Sequence, residues 1–227
     1  MEVFLQALVN GILLGGFYSL MGMGQNIIFG VMNIVNFCHG EMLMVGMYIT
    51  YVLYTYFGVD PYVALPIVAV LMFGLGALIQ STLITPSLKT KSFTNLLFLT
   101  VGLGLLLTNG ALVIFGSTYY KIITPYSQTY IPLGPVTIAL AGIAGSLLTQ
   151  FYTIYPTAGA SFGFRALIVV VVGGLGSIPG AFFAGIFLGL LEQMSALFIS
   201  PSYSDMIVFV TFIIILVVRP VMILRRR

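Results

Sequence analysis

Few residues in this chain could do chemistry. Among 227 residues there is one histidine, His39, one cysteine, Cys38, and five acidic against eight basic side chains. His39 and Glu41 lie two positions apart, and a histidine titrates near neutral pH. A proton relay across a membrane needs a longer series of such groups, so His39 reads better as an interfacial histidine with a satisfied partner. A lone histidine also excludes a histidine metal site. No nucleophile sits beside a base, which argues against an enzyme. The glycine-rich GGLGSIPG (Gly173–Gly180) invites comparison with a phosphate cradle, yet the Lys-Ser/Thr of a nucleotide loop is absent. No metal, cofactor or ATPase activity is expected.

The remaining polar groups are patterned. Asn26, Asn33, Asn36 and Gly40 are spaced seven, three and four apart, and His39 follows Asn36 by three. On a helix this makes a single polar stripe, inside the otherwise apolar stretch QNIIFGVMNIVNFCHGE (Gln25–Glu41). Polar side chains are costly against lipid, so the stripe should face a bundle interior or a watery cavity. It could equally consist of hydrogen bonds between helices. GGLGSIPG is a second interruption, because four glycines and a proline in eight residues disfavour a regular helix. Broken backbone at membrane depth survives only where protein or a cavity satisfies it.

The elements that must position these groups are membrane helices. The chain is 60% hydrophobic and only 6% charged, against about 25% charged in ordinary soluble domains. No Asp, Glu, Lys or Arg occurs in 3–38, 61–88 or 92–120, and about 20 apolar residues suffice to cross a bilayer. The expected fold is an all-α, polytopic helical bundle, a single transmembrane domain over 1–227 with about seven membrane segments and two broken ones. Spans are expected at Val3–Met23, Met42–Phe57, Tyr62–Ile84, Phe93–Phe115, Ala139–Tyr155, Ala181–Phe198 and Asp205–Ile223, with a segment up to Val172 leading into the second break. Tyr119, Tyr120, Tyr126 and Tyr130 suggest a headgroup belt. The net charge of +3 is no nucleic-acid signature, because six basic residues cap apolar runs. Basic loops favour the cytoplasm, which puts Lys89, Lys91 and the Arg225–Arg227 tail inside and Asp60 outside. Glu2 and the absence of basic residues before the first span suggest that no leader is cleaved. Gly11/Gly15 and Gly185/Gly189 form GxxxG pairs, a spacing that lets membrane helices approach closely.

The sequence resembles the permease subunits of branched-chain amino acid ABC transporters, a group that also includes urea-type permeases. The resemblance rests on NGILLGGFYSLMGMG (Asn10–Gly24), IFGVMNIVNFCHGEMLMVGMY (Ile28–Tyr48), IPLGPVTI (Ile131–Ile138), VVGGLGSIPGAFFAGIFLGLLE (Val171–Glu192) and YSDMIVFVTFIIILVVRP (Tyr203–Pro220). Cys38 stands where the family usually has alanine. The resemblance implies a multi-pass inner-membrane subunit pairing with a sister permease subunit, cytoplasmic ATPase subunits and a periplasmic solute-binding protein. The solute would be a branched-chain amino acid or a related small molecule. The candidate path residues are Asn33, Asn36, His39, Gly40, Gly173, Gly174, Gly176, Ser177 and Pro179, while Glu192 is expected to hold neighbouring helices together.

One departure stands out. In the family a further span and a charged cytoplasmic coupling loop follow the IPLG-x-VTI motif. Here Ile138 runs into ALAGIAGSLLTQ, and no charged residue occurs from Ile122 to Phe164. Parity agrees: a single crossing between the Tyr-rich loop and Ser161–Arg165 would put two expected outside segments on opposite sides. One helix and the coupling loop are therefore expected to be absent. That leaves a pathway independent of ATPases, or a permease remnant that cannot couple, as alternatives to an ATP-driven importer.

Overall fold

The computed structural model describes residues 2–32, 36–89, 92–124, 130–133, 136–139 and 152–218. Its elements are α1 (Glu2–Met32), α2 (His39–Phe57), α3 (Pro61–Ile79), a π-helical turn (Gln80–Ile84), α4 (Thr85–Leu88), α5 (Phe93–Phe115), β1 (Tyr130–Leu133), β2 (Val136–Ala139), α6 (Ala158–Gly173), α7 (Ile178–Phe198) and α8 (Pro201–Val218). Among the described residues, four stretches are long and apolar enough to cross a membrane: Val3–Gly30, Pro61–Leu88, Phe93–Phe115 and Ile178–Phe198. Two shorter apolar helices, Ala158–Gly173 and Pro201–Val217, accompany them. Only 11% of the apolar window in Pro61–Leu88 is buried by protein, and Phe73, Val113 and Phe183 stand exposed. Such apolar surface needs lipid as its solvent. The all-α bundle is therefore the architecture, and the chain is a multi-pass membrane protein.

Local signals set several ends. Asp60 caps α3 by accepting from the Tyr62 N–H at 2.9 Å, with Pro61 in the first turn. Ser92 caps α5 by accepting from the Asn95 N–H at 3.3 Å. Gly58, at φ 64°, closes α2 in the left-handed conformation that glycine adopts without a Cβ penalty.

Other boundaries differ from expectation. The interruption expected from Gln25 starts later, because α1 continues to Met32. Asparagine costs a helix under about 1 kcal/mol, whereas unpaired backbone in lipid costs several. The backbone stays helical, and the buried Asn26 side chain finds partners instead. The span expected to end at Ile84 also continues, to Leu88. Pro86 removes one helical N–H and crowds the preceding turn; the π-helical turn just before it absorbs that crowding. The Ser81 and Thr82 hydroxyls donate to the Leu78 carbonyl. The stretch expected over Ala139–Tyr155 lies mostly outside the described residues, and its end is not helical: Ile154 forms a two-way backbone bridge with Tyr120 at 2.8 and 2.9 Å. An unexpected addition is the antiparallel β1–β2 hairpin, with Tyr130 opposite Ala139 and Leu133 opposite Val136. Its aromatic and β-branched residues favour strand geometry.

The chain forms two compact units. One comprises α1, the hairpin, α6 from Arg165 onward, α7 and α8. There α1 and α7 pack through glycine on both sides: a Cβ placed on Gly15 would sit 2.6 Å from Ile186 Cα, and one on Gly189 would strike the backbone of Gly15 and Gly11. The Ser19 hydroxyl lies 2.7 Å from both the Gly15 and Phe182 carbonyls, tying the helices together. The GxxxG pairs thus serve packing, as their spacing suggested.

The other unit comprises α2 to α5, the chain to Thr124, and 152–164. Cys38, Ile79 and Leu103 form its buried apolar cluster, covered by Met42, Leu75, Ile84 and Leu107. Tyr48 stacks on Phe115 with centroids 4.2 Å apart, and Tyr120 packs against Tyr48, Tyr51 and Phe115. Of the expected headgroup belt, Tyr119 is exposed whereas Tyr120 turns into this cluster. Tyr126 lies outside the described residues.

Candidate functional site

The glycine-rich interruption is a tight turn between two helices. α6 ends at Gly173, the turn spans Gly174 to Ser177, and α7 begins at Ile178. Gly174 and Gly176 take φ values of 95° and 80°, where a side chain would be strained. Gly173 and Gly180 touch backbone to backbone, since a Cβ on Gly173 would lie 2.5 Å from the Gly180 carbonyl oxygen. Ser177 caps α7 by accepting from the Gly180 N–H at 3.1 Å, and Pro179 sits in the first turn, where its missing N–H costs nothing. The expected break over Gly173–Gly180 is thus shorter than its motif, because Ile178, Pro179 and Gly180 already belong to α7.

Asn26, on α1, completes the turn. Its amide donates to the Ser177 carbonyl at 2.9 Å and the Gly174 carbonyl at 3.3 Å, and accepts from the Gly176 N–H at 3.0 Å. Asn26 is 1% exposed. An asparagine amide is both donor and acceptor, so one side chain satisfies three backbone groups that lipid would leave bare. Asn26 was visible in the sequence as part of the polar stripe, but nothing local identified its partner about 150 positions away.

The first interruption is a turn leading into α2. Asn36 accepts the Cys38 N–H on its side-chain oxygen at 3.1 Å and the His39 N–H on its carbonyl at 3.3 Å. His39 opens α2, is partly exposed and has a partner. Gly40 is buried; a Cβ there would strike the Gly159 carbonyl and Gly163 backbone of α6. The next residue, Glu41, is buried as well. Asn33 lies outside the described residues. The candidate residues therefore form two local groups: Asn36, His39 and Gly40 in one unit, and Gly173, Gly174, Gly176, Ser177 and Pro179 with Asn26 in the other.

Among the described residues of the first unit, charge gathers around Arg165. Glu192 of α7 accepts from the Tyr18 hydroxyl at 2.8 Å and lies 3.5 Å from Arg165 Nε, while Arg165 also pairs with Asp205 of α8. The Arg165 guanidinium lies 5.8 Å from the centre of the Tyr18 ring, within cation–π range. Glu192 thus ties neighbouring helices together, as expected. Its side chain is 12% exposed and that of Arg165 15%, but Asp205 is 66% exposed. Glu192→Gln should lower stability by about 1–3 kcal/mol, because a mostly buried guanidinium loses its inner counter-charge. The double variant Glu192→Leu/Arg165→Met should lie closer to wild type. Thermal unfolding in detergent reads both, and an unshifted Tm for Glu192→Gln would contradict this assignment.

The comparisons with known proteins agree with this architecture. The high-affinity branched-chain amino acid transport system permease protein LivH of Escherichia coli K12 is 26% identical over 296 aligned positions, covering 98% of this chain and 96% of that protein. LivH of Salmonella typhimurium matches equally, and the permease protein BraD of Pseudomonas aeruginosa is 25% identical with the same coverage. No solved structure matches. Since the alignment to LivH runs over 296 positions and this chain has 227 residues, a sizeable stretch of the relative has no counterpart here. The sequence profile of the branched-chain amino acid transport system permease component matches in two pieces, residues 7–138 and 136–216, which meet at the end of the IPLG-x-VTI motif. Together these matches span most of the chain, and it belongs to the branched-chain amino acid transport system permease family.

Proposed function

We propose that this chain forms the membrane path for a branched-chain amino acid in an inner-membrane ABC importer. Its partners would be a sister permease, cytoplasmic ATPases and a periplasmic solute-binding protein. The observation that carries this reading is that the two motifs behind the resemblance, NFCHG and GGLGSIPG, fall at the two polar turns of an otherwise apolar helical chain. The two turns differ in what they leave over. In Gly174–Ser177, Asn26 and the Ser177 cap occupy polar groups of the turn, so we read this turn as a support. The Asn36–Gly40 turn, with a partly exposed His39 at its end, is the better candidate for meeting solute. Orientation follows the basic residues, with Lys89 inside and Asp60 outside.

The missing stretch at residues 136–138 favours a second reading. If the absent residues are a span and the coupling loop, nucleotide state cannot bias the permease conformation, because no differential contact remains. Reconstitution with the ATPases, sister permease and binding protein of a full-length family member separates the two. ATP-dependent leucine uptake is expected from the first reading, and nucleotide-independent leucine flux from the second. No leucine flux under either condition would sink both.

A further inference from the structure

Glu41 is a carboxyl buried by protein with no cation beside it. It lies in the first turn of α2, one residue ahead of the expected span Met42–Phe57. The residue is 9% exposed, and its Oε2 has no hydrogen-bond partner among the described residues. The packing around it is close. A Cβ on Gly159 of α6 would come 2.7 Å from Glu41 Cα, so those backbones touch. A Cβ on Gly104 of α5 would already be in van der Waals contact with the carboxyl, 3.4 Å from its carbon and 3.6 Å from Oε2. These two sides leave no more than the width of a methyl group, too little for a hydrated ion or a solute group.

The titratable groups around Glu41 supply no positive charge to it. Cys38, in the turn before α2, is held neutral: burial first, and Glu41 second, push its thiol up to about 12. From Phe93 to Phe115, α5 has no titratable side chain. The one charged residue of α6, Arg165, is paired with Glu192 and Asp205. On α2 itself, His39 is partly exposed and already has a partner, and Tyr48 lies two turns further on. Among the described residues Glu41 joins no ion pair. One influence favours the anion, a backbone N–H at the start of the helix. Burial is the larger effect and pushes the carboxyl above its ordinary range, because a buried charge without a counter-ion is costly.

We propose that Glu41 is a proton-binding site, carried as the neutral acid while α2, α5 and α6 are packed together. A proton is the one cation that needs no space of its own. Its uptake makes the junction sensitive to pH, and the direction follows from burial. In the unfolded chain Glu41 titrates as an ordinary glutamate, near pH 4.3, whereas the packed junction keeps its proton to higher pH. The stabilisation is therefore complete below the unfolded value and is lost as pH rises through the folded one. Opening the junction to water releases the proton, so higher pH favours the opened arrangement. None of this depends on which solute the chain carries.

Two measurements on the purified full chain test the site. Infrared spectra of protein carrying isotope-labelled glutamate should show the C=O band of a neutral carboxyl at neutral pH. Glu41→Gln keeps the shape, removes the proton and should lack this band. Between about pH 5 and about pH 8, the Tm of wild type should fall by at least about 3 °C relative to that of Glu41→Gln. If the variant does not fold, titrating the wild-type band decides, since it should fade only above neutral pH. No neutral-carboxyl band in the wild type at neutral pH, a band that survives in Glu41→Gln, or parallel Tm curves would overturn the inference.

Discussion

Gly189→Ala is expected to prevent the chain from reaching its folded state. A Cβ at this position would be driven into the Gly15 amide and α-carbon and the Gly11 carbonyl. These are backbone atoms, so no side chain can rotate away, and α1 and α7 would have to separate along their whole line of contact. Overpacking a core that can adjust costs about 1–3 kcal/mol; here the adjustment itself removes the close approach that small residues provide in membranes. Gly16→Ala is the matched control, since nothing lies within 4 Å of its Cβ. That variant should be neutral or slightly stabilised, because alanine favours a helix interior by roughly 0.5–1 kcal/mol. Yield of monodisperse protein and Tm in detergent would report both. Similar behaviour of the two variants would mean that α1 and α7 do not pack through these glycines.

Asn26→Leu should be the most damaging change at a polar residue. Leucine fills the volume but answers none of the three groups that Asn26 serves: the Gly174 carbonyl, the Ser177 carbonyl and the Gly176 N–H. Each buried polar group left unsatisfied costs about 1–3 kcal/mol, so the variant should lose at least about 3 kcal/mol. The turn should then open locally before the bundle unfolds. A Leu175→Cys reporter in a Cys38→Ser background should react with a maleimide about tenfold faster once Asn26 is replaced. Unchanged labelling and Tm would show that the Ser177 cap and the Gly173–Gly180 contact hold the turn without help.

Much of this was legible from local residues. The limits of α5 follow from Ser92 as cap and from the apolar run that stops at Gly116. The start of α3 follows from Asp60–Pro61. The two GxxxG pairs announced close helix packing, and GGLGSIPG announced an interruption, because glycine and proline act on the backbone at their own positions. The family was legible as well, since NFCHG and GGLGSIPG occur in the right order, and so was the place of the missing stretch after Ile138.

Other features were decided by tertiary structure. Nothing near Gln25 and Asn26 says that α1 continues through them, because the groups that Asn26 satisfies lie about 150 positions further on. Pro86 locally reads as a helix end, yet the π-helical turn carries the chain to Leu88. Arg165, Glu192 and Asp205 are far apart in sequence and become one ion-pair network only when α6, α7 and α8 assemble. Glu41 in the sequence is one acidic residue beside a histidine; only the packing of α2, α5 and α6 buries it and leaves one carboxyl oxygen without a hydrogen-bond partner among the described residues. Sequence thus determined where backbone and hydrophobicity act locally. In lipid, however, a polar group is tolerated only where a partner reaches it, and the partners here are brought by folding from elsewhere in the chain.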